Sequence, residues 1–175
     1  LALASPEFEA GPPNEYSIEL SRVVDRGIRE GDALDFEELC IREGSLVWTV
    51  FLDIYVLNDA GNLFDACSIA AMSSLLNTRI PKLEADKVVV GDYAGKLKVH
   101  SQPLLSTFAK ISNINVLDPQ LLEERAMSAR FSVAINEDDK ISAFQKGHGG
   151  SYSVKEVSEM IEIALKNSKK SRKML

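Results

Sequence analysis

An acidic cluster after one predicted strand is the first part of this sequence that could carry out chemistry. Asp118 directly follows the apolar run Ile114–Leu117, and Glu124 comes six residues later. Two carboxylates at the end of a strand could bind a divalent ion or transfer a proton. An Asp-Pro turn followed by a solvated acidic stretch is the commoner result of such a pattern. Spacing alone therefore favours a structural role for this cluster.

A helix rich in small residues is the second candidate. The turn-forming residues 58–62 follow a predicted strand, and Asp65 is expected to cap a helix that continues to about Leu76. The N-terminus of a helix after a strand is a common phosphate-binding position, because its free N–H groups and its dipole favour anions. Small side chains also let a helix lie close to a sheet, so packing explains the same composition. Both interpretations stay open at this point.

Histidine and cysteine are too sparse to suggest a metal site. His100 and His148 are far apart and lack spaced carboxylates, and Cys40 and Cys67 form no CxxC pair. This pattern predicts neither a zinc site nor a disulfide framework. The glycine-rich loop 147–150 lacks the GK[ST] ending of a Walker motif, so we expect a simple strand-to-helix connection there.

Three arginines are expected to share one face of the first helix. Asn14 follows two prolines and can cap a helix that runs to about Glu30, in which Arg22, Arg26 and Arg29 recur at spacings of four and three. A charged, solvated face is the commoner interpretation. Contact with RNA or with a protein partner is the sharper one.

The elements that must position these residues include several strands. Residues 46–57 are β-branched and aromatic, and they predict a long, mostly buried strand that contains Asp53. A hairpin is expected between 88–90 and 97–99. Further strands are expected at 104–110, 114–117, 131–135 and 140–146.

One more helix completes the pattern. Ser153 and Glu156 form a capping box for a helix that ends in the basic tail 166–175, which holds five bases and no acid. Strands mixed with helices and frequent hairpins are typical of an α+β fold with a mixed sheet.

Composition places the chain among globular domains. It has 175 residues, 45% hydrophobic and 26% charged, which fits one domain better than two and excludes a disordered chain. No apolar run reaches the roughly 18 residues that span a bilayer, so we expect no membrane partner and a cytoplasmic location. The net charge of −6 argues against a chain that holds nucleic acid by itself.

Eight segments of the chain resemble the RNase PH family, in order. The most extensive are VWTVFLDIYVL at 47–57 and DAGNLFDACSIAA at 59–71. Their number and order make the resemblance specific, and the type of member that they resemble best is the non-catalytic ring subunit of the archaeal exosome. The other segments are 5–15, 19–30, 39–44, 108–111, 116–119 and 143–150.

This resemblance implies the fold and the extent of the domain. It implies an α+β RNase PH-like domain (ribosomal protein S5 domain 2-like), with mixed sheets and packed helices. Residues 1–175 would form a single domain, the C-terminal two-thirds or so of it. Family members carry roughly eighty further residues before the position of Leu1, within the usual size of a domain. An N-terminally truncated domain is therefore expected, with an unpaired edge in its first sheet.

The resemblance also implies a reaction that this sequence is not expected to support. Active members are phosphorolytic 3′→5′ exoribonucleases, in which inorganic phosphate attacks the last phosphodiester bond of RNA and releases a nucleoside diphosphate. Their phosphate cradle resembles Gly-Gly-Thr-Arg or Gly-Gly-Ser. The matching residues here are Asp65, Ala66, Cys67 and Ser68. A carboxylate at Asp65 repels a dianionic phosphate, and Ser68 replaces the arginine.

The acidic motif departs from the family as well. Active members resemble Asp-Leu-x-x-x-x-Asp after the strand, whereas here Pro119 follows Asp118 and Glu124 takes the place of the second acid. A degenerate cradle and degenerate acids together predict a non-catalytic subunit with no cofactor and no metal. An active phosphorolytic RNase that uses Asp118 and Glu124 is the alternative, and an unrelated α+β binding module is the third hypothesis.

The resemblance implies partners too. Inactive subunits alternate with catalytic RNase PH-like subunits in a hexameric ring, as three heterodimers around a channel that admits single-stranded RNA, with S1/KH-type cap proteins. Such a complex degrades and processes RNA. Arg22, Arg26 and Arg29, or the tail 166–175, could face a partner or RNA. Part of the expected RNA contacts would lie before Leu1, so we expect this chain to bind RNA poorly by itself.

Overall fold

The computed structural model describes residues 11–175, which form four α-helices and eight β-strands. The helices are α1 (Glu15–Arg29), α2 (Leu63–Asn77), α3 (Leu121–Ala126) and α4 (Val154–Ser171). The strands are β1 (Cys40–Arg42), β2 (Leu46–Val47), β3 (Arg79–Glu84), β4 (Lys87–Lys96), β5 (Leu104–Ile111), β6 (Ile114–Leu117), β7 (Ala129–Ile135) and β8 (Ile141–Gly147). Short 3₁₀ helices lie at Glu37–Leu39 and Arg172–Met174.

An antiparallel sheet of four strands, in the order β6–β5–β7–β8, lies at the centre of the fold. The helices α1 and α2 pack on one face, and α4 packs on the other. β7 is buried along its whole length, because it lies between two strands and between two helical layers. The strands predicted from sequence at 104–110, 114–117, 131–135 and 140–146 all belong to this sheet, which confirms the α+β class.

The prediction of a long buried strand over 46–57 is wrong for most of its length. Only Leu46–Val47 is a strand, and residues 48–57 are irregular. Phe51 is 83% exposed, and Tyr55 is also exposed. A β-branched and aromatic sequence shows only a preference for strand structure, because a strand also needs a hydrogen-bonding neighbour. Within the described part of the chain, the sheets are formed without residues 48–57.

The predicted hairpin also differs from the observed one. The strands expected at 88–90 and 97–99 do not pair with each other, because β4 runs straight through most of this region and pairs with β3. The turn is at Ala85 and Asp86, which both have positive φ (48° and 64°), as in the two-residue turns that suit a hairpin twist. The sequence lacks the Asn-Gly or Asp-Gly signal that normally marks such a turn.

The basic tail 166–175 is helical and contacts the rest of the domain. α4 continues to Ser171, and Lys169 pairs with Asp139 at 2.7 Å. The Arg172 guanidinium donates hydrogen bonds to the carbonyl oxygens of Ile135 (2.9 Å) and Gln102 (3.3 Å). Two of its five bases therefore bind groups of the same chain.

No helix between residues 11 and 175 is long and apolar enough to cross a membrane.

Candidate functional site

Two distant parts of the chain meet at the N-terminus of α2. The Leu121 N–H donates a hydrogen bond to the Ala60 carbonyl at 2.9 Å, which joins the turn before α2 to the start of α3. Gly61 has φ +105°, and a Cβ there would lie 2.5 to 2.7 Å from the backbone of residues 119–121. A glycine is therefore required by both conformation and contact. This junction brings Asp65 close to Asp118 and Glu124.

Asn62 lies at the centre of this junction. It is the N-cap of α2, and its Oδ1 accepts a hydrogen bond from the Asp65 N–H at 3.4 Å. Its Nδ2 donates to Asp118 Oδ1 at 2.6 Å, and its backbone N–H donates to Glu124 Oε1 at 3.0 Å. The sequence prediction assigned the cap to Asp65, which instead lies within the first turn. Asparagine is a preferred N-cap, so the turn before the helix held a signal for Asn62.

The Asp65 carboxylate is directed into the domain. Asp65 is only 8% exposed, and its Oδ2 accepts a hydrogen bond from the Thr107 N–H of β5 at 3.2 Å. Its Oδ1 has no hydrogen-bond partner. Burial raises the pKa of Asp65 to about 6, although the hydrogen bonds from Asn62 and Thr107 oppose this rise. Any effect of Asp65 on a phosphate at this helix would come from a carboxylate that is shielded from solvent.

The other residues at the cradle positions also take part in packing. The Ser68 Oγ accepts a hydrogen bond from the Leu105 N–H at 3.1 Å, a second link between α2 and β5. Cys67 is buried, and this burial raises the pKa of its thiol. Ala66 is exposed. Two of the four cradle positions, Asp65 and Ser68, therefore form a helix–sheet contact.

The two acids at the end of β6 are engaged in the same network. Asp118 has φ +57°, and its N–H donates to the Thr107 carbonyl at 3.0 Å. The backbone of Thr107 is thus bonded to Asp65 through its N–H and to Asp118 through its oxygen. Asn62, Asp65, Thr107 and Asp118 form a closed ring of hydrogen bonds. Burial raises the pKa of Glu124, and the hydrogen bond from the Asn62 N–H opposes that rise.

A buried arginine that sequence reasoning missed lies beside this ring. Arg130 on β7 is 1% exposed and pairs with Glu19 of α1 at 2.6 Å. Its guanidinium lies 4.0 Å from the ring centroid of Phe64, in the first turn of α2. The sequence signal is a charge inside a buried apolar strand, which must be paired. This cation is already neutralised by Glu19.

The arginine face predicted on α1 exists, and it lies apart from the junction. Leu20, Val23 and Val24 are buried, whereas Arg22, Arg26 and Arg29 are exposed. Arg29 pairs with Asp25 at 2.9 Å. Among residues 11–175, Arg22 and Arg26 have no ion-pair partner. Arg22 and Arg29 border a cavity of about 530 Å³ between α1 and residues 50–56.

The junction has the parts of an anion site, but the donors of Asn62 are in use. The N-cap amide and side chain of α2 donate to carboxylates of the same chain, and the nearest buried cation is paired. In the described part of the chain, no group of three or more His, Cys, Asp or Glu side chains is placed to hold a metal. The arrangement is therefore that of a structural clamp between α2, β5 and the β6–α3 loop.

Two models of one protein family match the chain. The model of the 3′ exoribonuclease family, domain 1, matches residues 1–81, and the model of domain 2 matches residues 101–167. Together they include the turn before α2, the acids after β6 and most of α4. The single-domain extent predicted for 1–175 stays a prediction.

Similar proteins carry exosome names. The exosome complex component Rrp42 of Thermococcus gammatolerans is 47% identical over 99% of this chain and 65% of the relative. Rrp42 of Methanothermobacter thermautotrophicus is 48% identical over 94% of the chain and 62% of the relative. This chain therefore spans just under two thirds of the length of these relatives.

Solved structures agree with these relatives. A chain of the Archaeoglobus fulgidus exosome with RNA bound to the active site matches with a TM-score of 0.91 and 39% identity, over 99% of this chain and 67% of that chain. A chain of an archaeal exosome core matches with a TM-score of 0.85 and 37% identity, over 93% and 64%. Rice Rrp46, at 12% identity and a TM-score of 0.59, shares the fold. The chain belongs to the RNase PH, or 3′ exoribonuclease, family.

Proposed function

We propose that this chain is a non-catalytic subunit of an archaeal exosome-type ring that degrades RNA by phosphorolysis. One observation supports the absence of catalysis above all. The backbone N–H and the Nδ2 of Asn62, at the N-terminus of α2, donate hydrogen bonds to Glu124 and Asp118. The position at which a phosphate would be held is therefore occupied by carboxylates of the same chain.

Electrostatics oppose a phosphate at this junction. A helix N-terminus attracts an anion through its free N–H groups and its dipole. Here three carboxylates, those of Asp65, Asp118 and Glu124, surround that N-terminus. A dianionic phosphate placed among them would be repelled by each ionised group and would have to displace hydrogen bonds of 2.6 and 3.0 Å.

The acids themselves are poorly placed for proton transfer to a substrate. Each of Asp118 and Glu124 has one carboxylate oxygen that accepts a hydrogen bond from Asn62. The second candidate, an active phosphorolytic RNase that uses these two acids, is favoured by one observation. Burial raises the pKa of Glu124, and a raised pKa favours the protonated form that a general acid needs.

The partners follow from the similar proteins. Relatives named as exosome components, and similar chains within archaeal exosome structures, support assembly with a catalytic RNase PH-like subunit. We infer a heterodimer, three of which form a hexameric ring in the cytoplasm, with S1/KH-type cap proteins and a path for single-stranded RNA. In this ring the present chain supports the partner's active site and borders the RNA path.

The test combines assembly with activity. This chain, and a chimera that supplies the part of the Thermococcus gammatolerans relative outside the matched region, are each mixed with a catalytic archaeal RNase PH-like subunit. We expect a stable complex by light scattering after gel filtration. We also expect no phosphate-dependent release of ADP from poly(A) by the chimera alone.

The alternative function makes the opposite prediction for the same assay. ADP release by the chimera alone that requires phosphate, and that Asp118→Asn abolishes, would establish an active enzyme. A chimera that stays monomeric beside the catalytic subunit would contradict the proposed ring assembly.

A further inference from the structure

The hairpin formed by β3 and β4, residues 79–96, is a basic element in an acidic chain. We call it the β3–β4 ribbon. It forms a two-stranded sheet of its own, separate from the central sheet. The ribbon holds four basic and three acidic residues, although the whole chain has a net charge of −6. The ribbon therefore differs in charge from the domain that carries it.

Two cations face each other across this ribbon. Arg79 and Lys96 are direct partners in the antiparallel register, so their side chains lie on the same face. Like charges in this position destabilise a strand pair. Among residues 11–175 neither has an ion-pair partner. The ribbon's acids Glu84 and Asp86 are already paired, with Lys82 and Arg42 respectively.

An aromatic ring completes this face. Tyr93 is 55% exposed, and the Arg79 guanidinium lies 5.5 Å from its ring centroid. Tyr93 pairs with Pro81, two residues after Arg79, and the register shifts between Ile80 and Pro81. The contact of the Arg79 guanidinium with the tyrosine ring places both side chains on one face. Asp92 precedes Tyr93, and successive side chains of a strand point to opposite faces. The face therefore combines two cations with an exposed aromatic ring.

The backbone beside these residues is open. Gly91 lies two residues before Tyr93, and a Cβ built there would meet nothing within 4 Å. Gly91 therefore leaves room for a chain to lie beside the tyrosine ring.

We propose that the face with Arg79, Tyr93 and Lys96 is a contact site for single-stranded RNA. The two cations hold a phosphodiester group between them, and a base stacks on Tyr93. Proteins that hold single-stranded nucleic acid combine positive charge along the backbone with aromatic rings for the bases. The charge of the polyanion also removes the repulsion between Arg79 and Lys96. This proposal rests on the proposed role in an RNA-degrading complex, and it adds a site outside the arginine face of α1.

The test measures binding of a short, fluorescently labelled oligoadenylate to the 175-residue chain by anisotropy over a range of salt concentrations. Arg79→Ser with Lys96→Ser is expected to lower the slope of log affinity against log salt by about 0.7, because the contact with one phosphodiester group is lost. Tyr93→Ala should weaken binding about fivefold or more with little change in slope, and Tyr93→Phe should bind like the parent.

A matched control removes the same charge elsewhere. Lys140→Ser with Lys155→Ser changes two exposed lysines outside the ribbon and should leave the slope as in the parent. An equal slope for the ribbon variant and the parent, or no binding by the parent at low salt, would overturn the proposal. If the ribbon variant instead loses assembly with the catalytic subunit while RNA binding is unchanged, the face contacts protein and the proposal is wrong. If RNA binding is the same in the ribbon variant and in the parent, but the chain still assembles with the catalytic subunit, only this RNA site is wrong. The proposed function then still stands.

Discussion

Asn62 Nδ2 lies 2.6 Å from Asp118 Oδ1, and this hydrogen bond joins residues that are 56 positions apart. It connects the first turn of α2 to the end of β6. The same asparagine also binds Glu124 through its backbone. Asp118 and Glu124, the two acids that the family resemblance predicts to be degenerate, are held by Asn62 in a structural clamp.

The first prediction concerns that clamp. Asn62→Ala removes the N-cap of α2 and the partner of Asp118, and it places alanine at a positive φ of 50°. We expect a loss of about 2–4 kcal/mol in the free energy of unfolding, from the cap and from a hydrogen bond to a charged group. Urea denaturation measures it. Asn77→Ala, at the exposed C-terminus of the same helix, should cost less than about 0.5 kcal/mol, and equal costs would contradict the clamp.

The second prediction concerns pH. The pKa of Asp65 is about 6 in the folded chain, against an ordinary value of 3.8 for this carboxyl group. The folded chain binds this proton more tightly than the unfolded chain, so protonation of Asp65 stabilises the fold. This stabilisation is complete below about pH 4 and is lost as the pH rises through the folded pKa of about 6. Asp65 should therefore lower the free energy of unfolding by up to about 3 kcal/mol as the pH rises from about 4 to 6.

Asp65→Asn isolates that contribution. The amide oxygen can still accept the Thr107 N–H, but it carries no charge at any pH. We expect the variant to be more stable than the parent at pH 7 and to differ little from it at pH 4, as measured by urea denaturation at each pH. Parallel stability curves for the two proteins would show that Asp65 titrates normally.

The third prediction compares two ion pairs of α1. Glu19→Gln leaves Arg130 buried without its counter-charge, which should cost about 3 kcal/mol. Asp25→Asn breaks the exposed pair with Arg29 and should cost less than about 1 kcal/mol. Thermal unfolding of the two variants gives the comparison. A similar melting temperature for both would mean that Arg130 finds another partner.

The fourth prediction concerns the lost cradle. Asp65→Gly with Ser68→Arg should not restore phosphorolysis, because Asp118 and Glu124 still occupy the helix terminus. The new arginine must also replace a buried serine that accepts the Leu105 N–H, so the variant should be less stable. Ala66→Arg, at the exposed neighbour, should fold normally and also stay inactive. Phosphate-dependent ADP release by either variant would show that the cradle is the only defect.

The sequence by itself determined the local elements. Capping residues and apolar spacing are signals between neighbours, so Asn14 and Ser153 marked the starts of α1 and α4. The four strands of the central sheet were predicted at nearly their observed bounds. The resemblance to the RNase PH family rested on short segments in order, and it too needed only the one-dimensional pattern.

The tertiary structure decided how distant residues meet. No local rule joins Asn62 to Asp118 and Glu124, or Arg130 to Glu19, because these contacts depend on the order of the strands and on how loops close. For the same reason residues 48–57 have a strand-like composition without a strand. The side chain of Asp65 shows the difference most clearly. Sequence placed a carboxylate at a helix terminus, but only packing against β5 buries it, raises its pKa and turns a candidate site into a clamp.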